Sequence, residues 1–282
     1  MAKNIIVGDI GSTKSAWWTN MGGNREILLS GYNPLTQDDS VGQEMAEQLA
    51  EAIDQPSPSG IWYYGAGVVD AVTAAHIRQM LLLHFPSSEI HVDSDLKGAC
   101  EAACGEEPGT VILLGTGSHA AVYDGRRITR QASSLGYILG DEGGGSDIGK
   151  ALLQAYFYSS MPDEIAQAMS AMLPEGRTGM LQQLYHSSTP NQYLAEFARI
   201  AVDHIGHPWV IDLVRKRFNL FITTHLAPMQ QEGKIQIVGS IGYIFAGLIR
   251  QELERSGYEP GEWIRHPAKR LFDLHTNDER TA

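Results

Sequence analysis

The chain has 282 residues, of which 43% are hydrophobic. At about 100–200 residues per domain, this length predicts two domains with full apolar cores. A formal net charge of −12 argues against a nucleic-acid partner, because an acidic surface repels the phosphate backbone. The sequence has neither a signal-peptide core near its start nor an apolar run of about 18 residues, so we expect a cytoplasmic protein without a membrane partner.

The first part of the chain opens with an antiparallel meander and continues with alternating strands and helices. Short apolar runs bounded by turn residues predict the strands, and apolar residues at helical spacing predict the helices. The predicted strands are 4–9, 15–20, 25–31, 61–64 and 89–93, and the predicted helices are 41–53, 68–84 and 96–104.

From residue 110 onward, the order strand, glycine turn, strand, turn, strand occurs a second time. The strands of this second meander are predicted at 110–114, 119–123 and 126–132. The two series lie about 105 residues apart and indicate an internal duplication of architecture. The elements predicted after them are a helical region at about 150–228, a strand at 234–239, a helix at 241–256 and a strand at 267–274.

An acidic residue followed by a glycine and hydroxyl turn lies at the end of the first predicted strand. Asp9 can hold Mg²⁺, which prefers carboxylate oxygens. Gly11 has no Cβ, so its backbone can approach a phosphate closely, and Ser12, Thr13 and Lys14 offer donors around it. The pattern predicts a loop for the metal and phosphates of a nucleotide. The alternative is an ordinary β-turn with a surface carboxylate.

The corresponding place in the second series holds Gly115, Thr116, Gly117 and Ser118. This segment predicts a second strand–turn–strand phosphate loop. We expect the two loops to grip the phosphates from opposite sides of one cleft.

Two further glycine-rich segments are candidates for ligand contacts. Residues 140–146 combine two acids with three consecutive glycines, which are poor helix and strand formers, so we expect a loop whose Asp141 accepts hydrogen bonds from sugar hydroxyls. Gly239, Ser240 and Gly242 form a strand–turn–helix junction that suits the adenosine and α-phosphate end of a nucleotide, because helix N-termini attract anions. The alternatives are a flexible surface linker and a common β–α connection, respectively.

Asp95 follows a predicted strand and precedes a predicted helix. A free aspartate is ionised at neutral pH, so Asp95 could accept the proton of an attacking hydroxyl as a general base. Asp93 is the rival for this role, and Asp95 could instead cap the helix at 96–104. Cys100 and Cys104 lie on one face of that helix, where we expect them to pack.

Together these motifs resemble the N-acetylglucosamine kinases, which belong with the BadF/BadG/BcrA/BcrD ATPase-like group in the sugar kinase, Hsp70 and actin superfamily. The resemblance covers about residues 5–250. It rests on Asp9-x-Gly11-x-Thr13, Asp95 before a helix, Gly115-Thr116-Gly117-Ser118, Gly136-Tyr137-x-x-Gly140-Asp141-Glu142-Gly143 and Gly239-x-x-Gly242.

The resemblance implies an α/β protein of two ribonuclease-H-like lobes, with ATP and Mg²⁺ in the cleft between them. The lobes would span 1–105 and 106–282, and the helical region would be an insert in the second lobe. Asp95 would be the general base. The residues implied around the nucleotide are Gly11, Thr13, Gly115, Gly117, Gly239 and Gly242, and those implied for the sugar pocket are Asn33, Thr116, Gly136 and Asp141.

Two departures from the family pattern fall on the substrate side. His119 stands where an asparagine that contacts the sugar follows the Gly-Thr-Gly-Ser motif, and Leu135 stands where a tryptophan precedes Gly136. We expect His119 to contact the substrate. Despite both departures, we still expect phosphoryl transfer. They leave the identity of the sugar open, and the candidates are N-acetylglucosamine, N-acetylmannosamine, a muramic sugar, glucosamine and other hexoses.

The sequence therefore predicts an ATP-dependent kinase for N-acetylglucosamine or a related amino sugar, and it leaves a homodimer open. Two alternatives remain. The first is an ATPase activator of a 2-hydroxyacyl-CoA dehydratase, whose iron–sulfur cluster would have to use Cys100 and Cys104. The second is a non-catalytic sensor that binds a sugar or a nucleotide.

Overall fold

The computed structural model describes residues 3–53, 58–231 and 233–278. The chain folds as two units, and each unit has its own sheet. The first unit consists of the described parts of Met1–Glu107 and His266–Ala282 together with Gly125–Arg127, and the second consists of Pro108–Asp124 and the described parts of Ile128–Arg265.

The elements alternate between strands and helices along most of the chain. The strands are β1 (Ile5–Ile10), β2 (Lys14–Thr19), β3 (Arg25–Ser30), β4 (Gly60–Gly65), β5 (Glu89–Ser94), β6 (Gly109–Leu114), β7 (Ser118–Tyr123), β8 (Ile128–Gln131), β9 (Ile235–Val238) and β10 (Pro260–Ile264). The helices are α1 (Asp39–Ile53), α2 (Ala71–Leu82), α3 (Asp95–Cys104), α4 (Gly136–Leu139), α5 (Gly145–Phe157), α6 (Asp163–Ala171), α7 (Gly176–His186), α8 (Pro190–Glu196), α9 (Ala198–Asp203), α10 (Pro208–Phe221), α11 (Ser240–Ile244), α12 (Ala246–Arg255) and α13 (Pro267–Asp278), and a π-helical turn (Ile222–Leu226) continues α10.

The first unit has a five-stranded sheet in the order β3-β2-β1-β4-β5. The first three strands are antiparallel, and β1, β4 and β5 run parallel. β1 is buried on both faces, which explains its run of apolar residues. Ile6 and Ile10 pack in one core with residues of α1 and α2, whereas Ile5 and Val7 pack in another with residues of α3 and α13.

The second unit repeats this plan in the order β10-β9-β6-β7-β8. β6, β7 and β8 form the antiparallel meander, while β6, β9 and β10 run parallel. The main core of this unit joins the apolar faces of β6 and β9 to those of α5, α10 and α12. The predicted α/β class and the duplicated meander are therefore confirmed.

Several predicted elements differ from the structure. The predicted strand 267–274 is wrong, because its apolar residues Ala268, Leu271 and Phe272 recur at helical spacing and are buried on one face of α13. The predicted helix 241–256 is interrupted at Phe245, which ends α11 and precedes α12. The predicted loop 140–146 is shorter than expected, since its last two residues begin α5.

Sequence patterns missed two short elements altogether. β10 is an edge strand that starts with a proline and a glycine, so it lacks a strand-like composition. α4 is a single turn between glycines. Both have too few residues for a periodic signal.

Candidate active site

The carboxyl ends of β1, β4 and β5 lie at the same edge of the first sheet, because these strands are parallel neighbours. Asp9 on β1 pairs with Tyr64 on β4, which pairs with Asp93 on β5. Asp95 follows as the first residue of α3. Ligands of open α/β sheets bind at this edge. The fold of the first unit thus places the two predicted functional carboxylates where a ligand site is expected.

Asp9 and Asp95 interact electrostatically. Burial, and then the negative charge of Asp95, raise the pKa of Asp9 to about 7, while the Lys14 ammonium opposes the shift. Burial raises the pKa of Asp95 to about 6, although backbone hydrogen bonds at Leu96 and at Asp95 itself oppose this shift. A carboxyl group with a pKa close to neutrality is suited to proton transfer.

The surroundings of Asp95 bear on its two alternative interpretations. Ser94 is the N-cap of α3, because its side chain accepts a hydrogen bond from the Lys97 N–H at 3.1 Å, so the prediction that Asp95 could be the cap is wrong. The rival Asp93 accepts a hydrogen bond from the Ser94 N–H at 3.0 Å, and although its residue is exposed, desolvation of its carboxyl group raises its pKa as well. Asp95, and not Asp93, raises the pKa of Asp9.

The predicted phosphate loop forms the tight turn between β1 and β2. The Gly11 N–H donates to the Lys14 carbonyl at 3.0 Å, and the Gly31 N–H donates to the Thr13 carbonyl at 3.1 Å. A Cβ on Gly31 would collide with the Gly11 carbonyl oxygen and would lie 2.5 Å from the Lys14 nitrogen. Gly31 therefore lets β3 support this loop closely, a role that the sequence did not reveal.

Asn33, the predicted sugar ligand of the first unit, is tied to that loop. Its amide Nδ2 donates to Ser12 Oγ at 3.1 Å, and its Oδ1 accepts from the Leu35 N–H at 3.0 Å. Gly67 has a φ of +75° and lies against the Asn33 amide, where a Cβ would collide with Oδ1. Gly67 is thus a further residue that shapes this part of the site.

The second predicted phosphate loop lies between β6 and β7 and is supported by the N-terminus of α5. The Gly115 N–H donates to the Gly117 carbonyl at 3.0 Å, and the N–H groups of Gly145 and Ser146 donate to the carbonyls of Gly115 and Thr116, each at 2.9 Å. The first turn of α5 therefore stabilises the conformation of the loop by donating to its carbonyl groups.

Asp141 packs directly against this loop. Its Oδ1 accepts from the Ser118 N–H at 3.3 Å and would lie 2.8 Å from a Cβ on Gly117, so a side chain at position 117 would displace this carboxylate. Asp141 has a φ of +62°, which is uncommon for a non-glycine residue and clusters at functional sites. Burial and then the charges of Glu142 and Asp147 raise the pKa of Asp141.

A buried ion pair holds the segment that contains Asp141. Asp147 is 2% exposed, and its carboxylate accepts from Arg217 Nε at 2.6 Å, from Arg217 Nη2 at 2.7 Å and from the Gly143 N–H at 2.9 Å. Sequence analysis missed both partners, because 70 residues separate them and no local pattern links them.

The remaining predicted site residues lie in the second unit. Gly136 has a φ of +68° at the start of α4, and the neighbouring Leu135 is 60% exposed. His119 lies on β7.

The glycines of the predicted strand–turn–helix junction pack closely against β6 and β9. Gly239 has a φ of +106°, and a Cβ there would collide with the Leu114 carbonyl, whereas a Cβ on Gly242 would lie 2.6 Å from Ile237. Packing alone thus requires these last two glycines, and their role toward a nucleotide stays a prediction, as does that of Ser240 at the start of α11.

The two cysteines lie in α3 within the first unit. Burial raises the pKa of Cys100 well above its usual range and that of Cys104 to about 11, so both are thiols at neutral pH. This state favours the predicted packing role over a thiolate ligand. No helix in the described part of the chain is long and apolar enough to cross a membrane.

No protein-family model and no curated protein matches the chain. A solved structure from Porphyromonas gingivalis, provisionally named an N-acetylglucosamine kinase, is 28% identical with a TM-score of 0.86, over 98% of this chain and 99% of that chain. The chain resembles the N-acetylglucosamine kinases.

Two more distant structures have the same fold. A Chromobacterium violaceum protein, also provisionally named an N-acetylglucosamine kinase, has a TM-score of 0.74 at 17% identity, over 96% of this chain and 98% of that chain. A ROK family glucokinase from Streptomyces griseus, solved with glucose and AMPPNP, has a TM-score of 0.58 at 15% identity, over 99% of this chain and 100% of that chain. These similarities confirm the predicted sugar kinase and actin fold.

Proposed function

We propose that this protein is an ATP-dependent sugar kinase that transfers the γ-phosphoryl group to a hydroxyl of N-acetylglucosamine or a related amino sugar. The observation that carries the proposal is the pair of electrostatically linked carboxylates, Asp9 and Asp95, at the carboxyl edge of the first sheet. Similarity to the Porphyromonas gingivalis protein over nearly the whole chain supports it.

In the proposed reaction, Asp95 is the general base. Its carboxylate accepts the proton of the sugar hydroxyl while that oxygen bonds to the γ-phosphorus and the bond from this phosphorus to the ADP oxygen breaks. A pKa of about 6 keeps most of this carboxyl ionised at pH 7 and still allows it to hold the proton.

Asp9 would hold Mg²⁺. Its carboxylate is a hard oxygen ligand whose pKa of about 7 reflects burial and a nearby negative charge, and a divalent cation would offset both. When bound, Mg²⁺ neutralises the charge that develops on the phosphates. Magnesium in such sites takes one or two protein carboxylates and completes its shell with phosphate and water, so a single aspartate is an adequate anchor.

The other site residues keep the roles that the motifs suggest. In the first unit, Gly11, Ser12, Thr13 and Lys14 would contact the phosphates, and Asn33 would contact the sugar. In the second unit, the proposed nucleotide contacts are Gly115, Gly117, Ser118, Gly239, Ser240 and Gly242, and the proposed sugar contacts are Thr116, His119, Gly136 and Asp141. Membership of the BadF/BadG/BcrA/BcrD group and a homodimeric state remain predictions.

The test is a coupled ADP-release assay across amino sugars and hexoses, with wild type, Asp95→Asn and the matched control Asp93→Asn. Loss of one general base lowers turnover by about 10²–10⁴-fold, so we expect that loss for Asp95→Asn, with ATP affinity nearly unchanged. Asp93→Asn should retain most activity, since Asp93 is exposed. Near-normal turnover of Asp95→Asn would refute the assignment, and sugar binding without ADP release would favour the sensor.

A further inference from the structure

The hydroxyl group of Tyr63 is buried in the first unit without a hydrogen-bond partner. Tyr63 lies on β4 and is 0% exposed, and its hydroxyl oxygen meets neither a donor nor an acceptor in the described part of the chain. An unsatisfied buried hydroxyl costs stability, and the large majority of buried polar side-chain atoms in proteins have a partner. The group therefore requires an explanation that strand packing does not give.

Packing directs this hydroxyl to the carboxyl edge of the first sheet. The Tyr63 and Trp17 rings pack edge to face, with their centroids 5.9 Å apart. The Tyr63 ring also lies over Gly65, the last residue of β4, because a Cβ on Gly65 would collide with the ring and would lie 2.9 Å from the hydroxyl oxygen. Gly65 pairs with Ser94 at the end of β5, and Asp95 follows Ser94. The hydroxyl thus lies at the level of the strand ends, where Asp95 begins α3.

The hydroxyl and the Asp95 carboxylate are complementary in charge and proton. Burial, and then the nearby Tyr32 and Asp95, raise the pKa of Tyr63, so its hydroxyl keeps its proton at neutral pH and can donate. Asp95, with a pKa of about 6, is mostly ionised at pH 7 and can accept. Its Oδ1 accepts from the Leu96 N–H at 2.8 Å, and the described residues give this carboxylate no side-chain donor. Each group therefore lacks the partner that the other could provide.

We propose that Tyr63 is a positioning residue for Asp95, and that its hydroxyl donates to the Asp95 carboxylate through one internal water molecule. The inference rests on the proposed function, in which Asp95 is the general base. A bridging water explains a pair that is electrostatically linked but not directly hydrogen-bonded. Because the Leu96 N–H already holds Oδ1, a second hydrogen bond would fix the orientation of the carboxyl group, on which proton transfer depends.

The first test is kinetic and uses Tyr63→Phe, which removes the hydroxyl and keeps the ring. In the coupled ADP-release assay, kcat should fall about 10-fold, as expected for one lost hydrogen bond to a charged group, while KM for ATP and for the sugar changes less than about 3-fold. In the Asp95→Asn background, the same substitution should change kcat less than about 3-fold, because no base is left to position.

The matched control for this test is Tyr32→Phe. Tyr32 belongs to the same core as Tyr63 and is also fully buried, but its hydroxyl donates to Asp39 Oδ1 at 2.9 Å. Its substitution removes a buried tyrosine hydroxyl without affecting the proposed hydrogen bond to Asp95, so kcat should stay within about 3-fold of the wild type.

The second test does not depend on turnover. Tyr63→Phe should lower the midpoint of urea unfolding in the wild type, because it removes a hydroxyl that has a partner. In the Asp95→Ala background it should leave the midpoint unchanged or raise it, because the hydroxyl has already lost its acceptor. A midpoint that Tyr63→Phe leaves unchanged or raises in the wild type would show that the hydroxyl is unpaired and would overturn the proposal.

The two tests separate this inference from the proposed function. Equal fold losses of kcat in the wild type and in Asp95→Asn would indicate a role independent of Asp95 and overturn the inference. If ADP is released and Tyr63→Phe has a normal kcat, the kinase proposal stands and the positioning role fails. If unfolding couples Tyr63 to Asp95 but no sugar causes ADP release, the hydrogen bond stands and the kinase proposal fails.

Discussion

The ion pair between Asp147 and Arg217 provides a quantitative test of how the second unit holds its site. Arg217→Met removes the guanidinium and leaves a carboxylate that is 2% exposed, with the Gly143 N–H as its remaining hydrogen-bond donor and the Lys150 ammonium 3.9 Å away. Removing one partner of a buried ion pair costs about 3–5 kcal/mol, because the other charge remains desolvated. Asp147→Asn should cost less, near the lower end of that range, since the Arg217 side chain is 26% exposed and can regain water.

The assay is urea unfolding followed by circular dichroism, with the transition of the second unit resolved if the two units unfold separately. The double variant Asp147→Leu/Arg217→Met should recover most of the loss, because it leaves no uncompensated charge. A loss below about 1 kcal/mol in both single variants would refute the reasoning.

Two further predictions concern the first unit. The pKa of Asp95 is raised to about 6, and a general base must be ionised, so kcat/KM at saturating Mg²⁺ should fall about tenfold per pH unit below pH 6. Asp95→Asn should abolish this pH dependence. A flat wild-type profile from about pH 5 to 8 would contradict the role of Asp95 as the base. Gly31→Ala should lower the free energy of unfolding by about 1–3 kcal/mol and weaken ATP binding, because its methyl group would collide with the backbone of the predicted phosphate loop. The control is Gly206→Ala, because a Cβ there would meet open space and Gly206, like Gly31, does not have a positive φ. Unchanged ATP affinity in Gly31→Ala would show that the loop does not depend on this close approach.

Local sequence signals were sufficient for the parts of the fold that carry strong patterns. Most strands of the two meanders are rich in apolar residues, and glycines mark the turns between them, so their positions could be predicted within a few residues. The same reasoning selected Asp9 and Asp95 as candidates, because each lies near the carboxyl end of a predicted strand. The electrostatic interaction between Asp95 and Asp9 appeared only in the structure, because it depends on which side chain is close to Asp9.

The features that escaped prediction depend on residues far apart in the chain. Arg217 meets Asp147, and His225 meets Glu142, only because α10 and its π-helical continuation pack beside the loop that precedes α5. Gly31 and Gly67 resemble ordinary turn glycines in the sequence, and their tight packing appears only when the neighbouring loops are in place. Sequence periodicity reports which face of an element is buried, but not which distant side chain it meets.

The position of α13 has a consequence for synthesis on the ribosome. Leu271 and Phe272 of this helix complete the core that contains Ile5, Val7 and Tyr64, yet the whole second unit is translated between them. At bacterial or eukaryotic elongation rates, roughly 10–30 s pass before α13 can emerge. During that interval one face of the first sheet lacks the part of its apolar cover that α13 provides, so nascent chains should need a chaperone more than the completed protein does.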